Sequence, residues 1–251
     1  AVVVDYYNGV GVMVNDGAGG FESMSQVVDT PCGGTLAVFD VDHDGNLDVV
    51  VGDTPGQGVR AYDICVLYGT GTGMLVDGPH HDMNTLSPTE LIGAADFDGD
   101  GWTDLLLNST SEGPAVIWNE SGSFSDLMVG AWTAPETLQY AVAEDLDGDG
   151  LPEIVTSTWR DVRLRVYGNE GGRSFSAPTV ISDRVGRTSD GLSVGDVDGD
   201  GLPDLITVDY VTSGMNCNIR PSDRQLGVLL SSGGGSFAAT EWQDLGCSSF
   251  S

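Results

Sequence analysis

Apolar and polar residues alternate in short bursts along the whole chain, and nowhere do they recur with a helical period. "TLAVFD" (Thr35–Asp40), "LDVVVGD" (Leu47–Asp53) and "CVLYG" (Cys65–Gly69) are typical: Val- and Leu-rich runs closed by Gly or Asp. Runs of this length between turn residues are strand signals. Two kinds of punctuation separate them. The first is an acidic loop, seen as "DVDHDGNLDVVV" from Asp40, "DFDGDGWTDLLL" from Asp96, "DLDGDGLPEIV" from Asp145 and "DVDGDGLPDLI" from Asp196, at spacings of 56, 49 and 51 residues. The second is a Gly/Asn turn running in phase with it, in "GVMVNDGAGGF" (Gly11–Phe21), "VLYGTGTGML" (Val66–Leu75), "VIWNESGSF" (Val116–Phe124), "VYGNEGGRSF" (Val166–Phe175) and "VLLSSGGGSF" (Val228–Phe237). Gly and Asn supply the positive φ that tight hairpins require.

Each unit parses into four strands: one enters the acidic loop, one leaves it, and a third and fourth flank the Gly-rich turn. Four short antiparallel strands repeated about every 50 residues predict an all-β protein, a β-propeller of four-stranded antiparallel blades. A stack of flat hairpins would need caps, and parallel β-helix repeats are shorter. The reading is a single domain over 1–251, made of a partial blade 1–30, blades 31–86, 87–136, 137–186 and 187–245, and a closing strand 246–251. Residues 1–28 supply "AVVVDY", "GVMVN" and "FESMSQVV" as three strands, and the tail "GCSSFS" aligns with "CGGTLAVF" as the missing innermost one. This predicts five blades, the closing blade shared by the two termini. The alternative is a segment of a seven-bladed propeller.

Charge adds a constraint. The chain has 38 acidic and 9 basic residues, a formal net charge of −29. All nine basic residues are Arg. Polyanionic partners are disfavoured, which argues against nucleic acid, and no apolar run is long enough for membrane insertion. Charge this lopsided opposes folding unless cations neutralise part of it. The chain opens in strand-like sequence without an initiator Met or signal peptide, as a processed or excised piece would.

The acidic loops share the pattern D-x-D-x-D-G-x-x-[DE]. Alternation turns positions 1, 3 and 5 toward one centre, Gly at position 6 allows a sharp turn, the carbonyl of position 7 turns inward, and the acid at position 9 closes the shell. An all-oxygen set of this size and flexibility suits calcium, while magnesium demands tighter octahedral geometry. Zinc and copper want His or Cys, and the motif offers only His43, read as a solvent-facing spacer at position 4. An EF-hand opens similarly but closes at position 12 between helices. Four calcium ions would move the formal charge from −29 to about −21.

The acidic loop, the strand after it and the "N-x-G-x-G-x-F"-like turn together resemble the FG-GAP/VCBS repeat family. The resemblance covers nearly the whole chain and implies a calcium-bearing β-propeller, as in integrin α-subunits, certain fungal lectins and secreted bacterial proteins. Carried over position by position, it implies metal ligands at Asp40, Asp42, Asp44 and Asp48; Asp96, Asp98, Asp100 and Asp104; Asp145, Asp147, Asp149 and Glu153; and Asp196, Asp198, Asp200 and Asp204. Carbonyls of Asn46, Trp102, Leu151 and Leu202 complete the shells, and Glu153 departs from the usual Asp. The family motif says little about biological role.

The remaining chemistry is sparse. Four Cys fit two disulfides in an oxidising compartment or four buried thiols. Cys32 and Cys247 each precede a first strand, and Cys65 and Cys217 each lie in or beside the loop between second and third strands. That placement predicts the pairs Cys32–Cys65 and Cys217–Cys247. His80 and His81 are adjacent in "DGPHHDMN" and read as a connection between blades. Arg163 and Arg165 share a strand face and either clamp an anion or pair with the acidic surface. Trp118 reads as core, while Trp132 and Trp159, near blade connections, are the candidates for stacking on a sugar. The leading reading is a secreted or cell-surface, calcium-stabilised, non-enzymatic binding module for a glycan or protein ligand. A structural spacer and a calcium-dependent polysaccharide lyase are the alternatives, although no base for a lyase can be nominated.

Overall fold

The structure, a computed structural model of the chain, describes residues 2–5, 9–21, 26–52, 64–81, 89–109, 113–129, 138–158, 163–182, 188–210, 224–238 and 241–244. Among them there is no α-helix, and no helix long and apolar enough to cross a membrane. The chain divides into two compact units, Ala1–Ala94 with Asp100–Pro135, and Ala95–Gly99 with Glu136–Ser251.

The first unit is built on three antiparallel sheets. β1 (Val2–Asp5), β2 (Gly9–Val12) and β3 (Gln26–Val28) form a three-stranded sheet in sequence order. β4 (Leu36–Phe39), β5 (Asp48–Gly52), β6 (Ile64–Gly69) and β7 (Leu75–His81) form the second, and β8 (Thr89–Ala95), β9 (Asp104–Ser109), β10 (Gly113–Asn119) and β11 (Phe124–Val129) the third. Val10 and Val12 of the first sheet meet Val49, Val51, Cys65 and Leu67 of the second. The opposite face of the second sheet, with Val50, Ile64 and Val66, packs on Leu105, Leu107, Ala115 and Ile117 of the third. The middle sheet is therefore covered on both faces, which is why β5 reads as an unbroken apolar run and is buried at every position. Trp118 is 2% exposed, as core.

The second unit holds two further four-stranded sheets. β12 (Leu138–Glu144), β13 (Glu153–Thr158), β14 (Arg165–Tyr167) and β17 (Thr179–Val180) make one, and β18 (Thr188–Gly195), β19 (Asp204–Tyr210), β20 (Arg224–Leu229) and β23 (Glu241–Asp244) the other. Their common core contains Leu146, Val155, Leu164, Val166, Leu205 and Leu229. In each, the Gly-rich turn forms a small hairpin of its own: β15 (Asn169–Gly171) with β16 (Ser174–Phe175), and β21 (Ser231–Gly233) with β22 (Ser236–Phe237).

Two readings change in detail. His80 and His81 end β7 instead of lying in a connection, opposite Cys65 and Ile64 of β6. β7 is an edge strand, and Pro79 falls at a register shift in its pairing with β6, both places where Pro is tolerated. His80 Nε2 lies 2.9 Å from Asp77 Oδ1, and the His81 ring packs edge-on against Phe124 at 5.8 Å. Cys65 lies inside β6, and its disulfide to Cys32 is formed, with Cα atoms 5.8 Å apart and both residues buried. The proposed closing strand 246–251 and the pair Cys217–Cys247 lie outside the described residues.

The Cys32–Cys65 bridge spans a separation of 33 residues, which in the loop-entropy account restrains the unfolded chain by about 3–4 kcal/mol. Replacing both cysteines by Ser should lower the urea midpoint correspondingly. An unchanged midpoint would show that the bridge does not constrain the unfolded state.

Candidate cation sites in the four acidic loops

Each acidic loop joins the first two strands of a four-stranded sheet, and the position-9 acid is the first residue of the second strand. Asp48 pairs with Phe39, Glu153 with Glu144 and Asp204 with Gly195. That register places the carboxylate in the core: Asp48 and Asp204 are 0% exposed, Asp104 1% and Glu153 3%. Each is held by backbone amides. Asp48 accepts from Val41 N and Gly69 N, both at 2.7 Å. Asp204 accepts from Val197 N at 2.8 Å and Ser231 N at 2.7 Å, and Asp104 from Asn119 N at 2.8 Å. Glu153, one methylene longer, reaches the equivalent pair, Leu146 N at 2.8 Å and Asn169 N at 3.3 Å. Position 9 therefore staples the loop to the end of the third strand.

Position 1 closes the turn from inside. Asp40 accepts from Asp44 N and Gly45 N, Asp145 from Gly148 N and Gly150 N, and Asp196 from Gly199 N and Gly201 N, all between 2.8 and 3.1 Å. Positions 4 and 6 take positive φ. Position 6 is always Gly, and position 4 is Gly except at His43, whose φ is 58°. His43 is not a bare spacer: its ring stacks on Trp102 of the next acidic loop, centroids 3.8 Å apart and 7° from parallel.

Carboxylate oxygens of positions 1, 3 and 9 come within 4.8 Å of one another in every loop: Asp40, Asp42 and Asp48; Asp96, Asp98 and Asp104; Asp145, Asp147 and Glu153; Asp196, Asp198 and Asp204. Two ligands on opposite sides of a calcium ion stand about 4.6–5.2 Å apart, so this spacing fits one shared ion. Position 5 is not among them. Asp44, Asp100, Asp149 and Asp200 each accept at 2.8 Å from the amide of their own position-7 residue, Asn46, Trp102, Leu151 or Leu202, in a local Asx turn. The donor set is oxygen only and crowded with negative charge, so it fits a hard divalent cation. When bound, such an ion would offset the mutual repulsion of the carboxylates.

Burial pushes the carboxyl groups of Asp48 and Glu153 up from their ordinary values of 3.8 and 4.5, the backbone amides opposing part of the shift and neighbouring loop aspartates adding to it. A carboxyl raised in the fold favours folding when protonated, and that contribution disappears as pH rises through the folded value. In metal-free buffer the melting temperature should therefore rise as pH falls from 7 toward 4.5. In calcium the sign should reverse, because ligands must be ionised to hold the ion. Parallel thermal melts in the two buffers check both signs.

The Gly/Asn turn does more than bend. Asn119 donates from Nδ2 to the carbonyl of Val41 at 3.1 Å, and Asn169 donates to that of Phe97 at 2.8 Å. Val41 and Phe97 both occupy position 2 of an acidic loop in the preceding repeat. Where Ser231 replaces the Asn, Gly235 N donates to the carbonyl of Leu146 at 3.0 Å. Sequence reading assigned these residues only a conformational role. The signal available was the recurrence of Asn at Asn15, Asn119 and Asn169. Of the ligand candidates, Arg165 is 9% exposed and points its Nη1 at the carbonyl of Arg163 at 3.5 Å. Trp132 and Trp159 lie outside the described residues.

Repeated four-stranded antiparallel sheets, each carrying an acidic loop between its first two strands, define an all-β repeat protein of the propeller class. The FG-GAP-like repeat matches at residues 96–156 and 145–207, so this stretch carries two repeats similar to that family's. No curated protein matches the chain's sequence. In structure it is similar to a lectin of Agrocybe aegerita described for specific recognition of non-reducing terminal N-acetylglucosamine, with a TM-score of 0.65 at 20% identity over 96% of this chain. The chain spans 62% of that lectin's length. The Tc holotoxin pore of Photorhabdus luminescens aligns with a TM-score of 0.48 at 20% identity, over 97% of this chain and 12% of that one. At such identity the lectin likeness concerns the fold.

Proposed function

We propose that the chain is a calcium-stabilised, non-enzymatic binding module of a secreted or cell-surface protein, with a glycan as its ligand. The observation carrying this reading is repetition. Among the described residues, every cluster of three potential metal ligands belongs to one of four equivalent loops, and in each loop the position-9 acid is engaged in folding the hairpin. An active site occurs once, whereas a scaffold element recurs with the repeat. The Cys32–Cys65 disulfide supports an oxidising compartment. The lectin likeness supports the propeller scaffold and suggests N-acetylglucosamine-terminated glycans as first probes. A glycan array probed in calcium and again after chelation tests the proposal: binding that is lost on chelation is expected, and no binding to any glycan in calcium overturns the glycan assignment.

A further inference from the structure

One acidic loop already has a cation of its own. In the loops from Asp40, Asp145 and Asp196 the position-3 carboxylate uses Oδ1 to accept the amide of position 5: Asp42 from Asp44 N at 3.2 Å, Asp147 from Asp149 N and Asp198 from Asp200 N at 3.1 Å. Their Oδ2 atoms accept no protein donor among the described residues. In the loop from Asp96, Asp98 Oδ2 receives Arg173 Nε at 2.7 Å, with the Asp98 side chain 9% and the Arg173 side chain 31% exposed. We infer that Arg173 is the built-in counter-ion of the Asp96 loop, so that this loop binds a divalent cation more weakly than its three equivalents. The inference rests on the calcium reading of the loops.

Two further observations support it. The turn that carries Arg173 faces the preceding acidic loop, and the equivalent places in other turns are glycine. A Cβ on Gly235 would lie 3.7 Å from Asp147 Cβ, and one on Gly122 would lie 3.2 Å from Asp42 Cβ. Asp42 and Asp147 are position-3 acids, so glycine leaves their approach clear while Arg173 fills it. Arg173 also holds a backbone φ of 65°, close to the 68° of Gly235. A residue with a Cβ is disfavoured there, and the contact of its guanidinium with Asp98 works against that cost. It is one of only nine basic residues in a chain of net charge −29. A partly buried pair is screened less by salt than an exposed one, so an arriving ion must either share Asp98 with a fixed positive charge or displace it.

The test is calcium binding to the full chain, measured by titration calorimetry and native mass spectrometry, for the wild type and for Arg173→Gly, Arg173→Gln and Arg173→Lys. Arg173→Gly removes the charge and suits the left-handed backbone, so its fold should hold. The wild type should show one site up to about fivefold weaker than the rest, the order expected from a partly exposed ion pair. Arg173→Gly and Arg173→Gln should raise that site to the level of the others, and Arg173→Lys should leave it weak. In metal-free buffer Arg173→Gln should melt below Arg173→Lys, and calcium should remove the difference. Equal sites in the wild type, or a weak site untouched by both neutral variants, overturns the inference while leaving the calcium reading intact. A wild type that binds no calcium overturns both.

Discussion

Chelation should lower the melting temperature by roughly 15 °C or more, and added calcium should restore it. An ion that binds only the folded state stabilises by about 2.7 kcal/mol per site at a hundredfold excess over Kd. Three sites of that strength contribute about 8 kcal/mol, and for a chain of this size each kcal/mol moves the midpoint by about 2–4 °C. The source of the effect is the crowding of negative charge: in each loop three carboxylates, one of them buried, stand within 4.8 Å of one another. Without a cation their repulsion acts against the turn they close. Thermal melts in EDTA, in excess calcium and in magnesium measure the size and the selectivity of the effect. A melt insensitive to EDTA, in a protein that elemental analysis finds metal-free, would remove calcium from the account of its stability.

What the sequence revealed and what it hid differ in range. The strands, the four loops and their phase were legible because they depend on neighbours a few residues apart: alternation, Gly at positive φ, and acids at fixed offsets. The contacts that give those acids distinct roles are non-local. Asp48 is held by Gly69, 21 positions on, and Asn119 reaches Val41 across 78. Arg173 reaches Asp98 across 75. His43 looked like a spacer because its partner, Trp102, belongs to the next repeat. The motif also treats four acids per loop as one ligand set. In the structure position 5 serves the local turn, and position 9 is shared between the cluster and the sheet. A consensus of residue types does not encode which lone pairs are already taken.

That division of labour separates two substitutions that the motif would treat alike. Asp48→Asn should destabilise the protein by about 1–3 kcal/mol both in calcium and in EDTA. Asp48 is fully buried and both its oxygens accept backbone amides. An Asn of the same shape can satisfy one amide, but it turns an NH2 group toward the other, leaving a buried donor facing a donor, which costs about 1–3 kcal/mol. Asp42→Asn should behave differently. Asp42 is exposed and accepts a single amide, from Asp44 at 3.2 Å, so its carboxylate matters chiefly to a bound cation. Its loss should lower stability in calcium by no more than the contribution of one site and leave the metal-free protein within about 0.5 kcal/mol of the wild type. Urea unfolding of both variants in the two buffers gives the four values needed. If Asp48→Asn costs nothing in EDTA, position 9 acts only through the cation, and the staple between loop and third strand is not a source of stability.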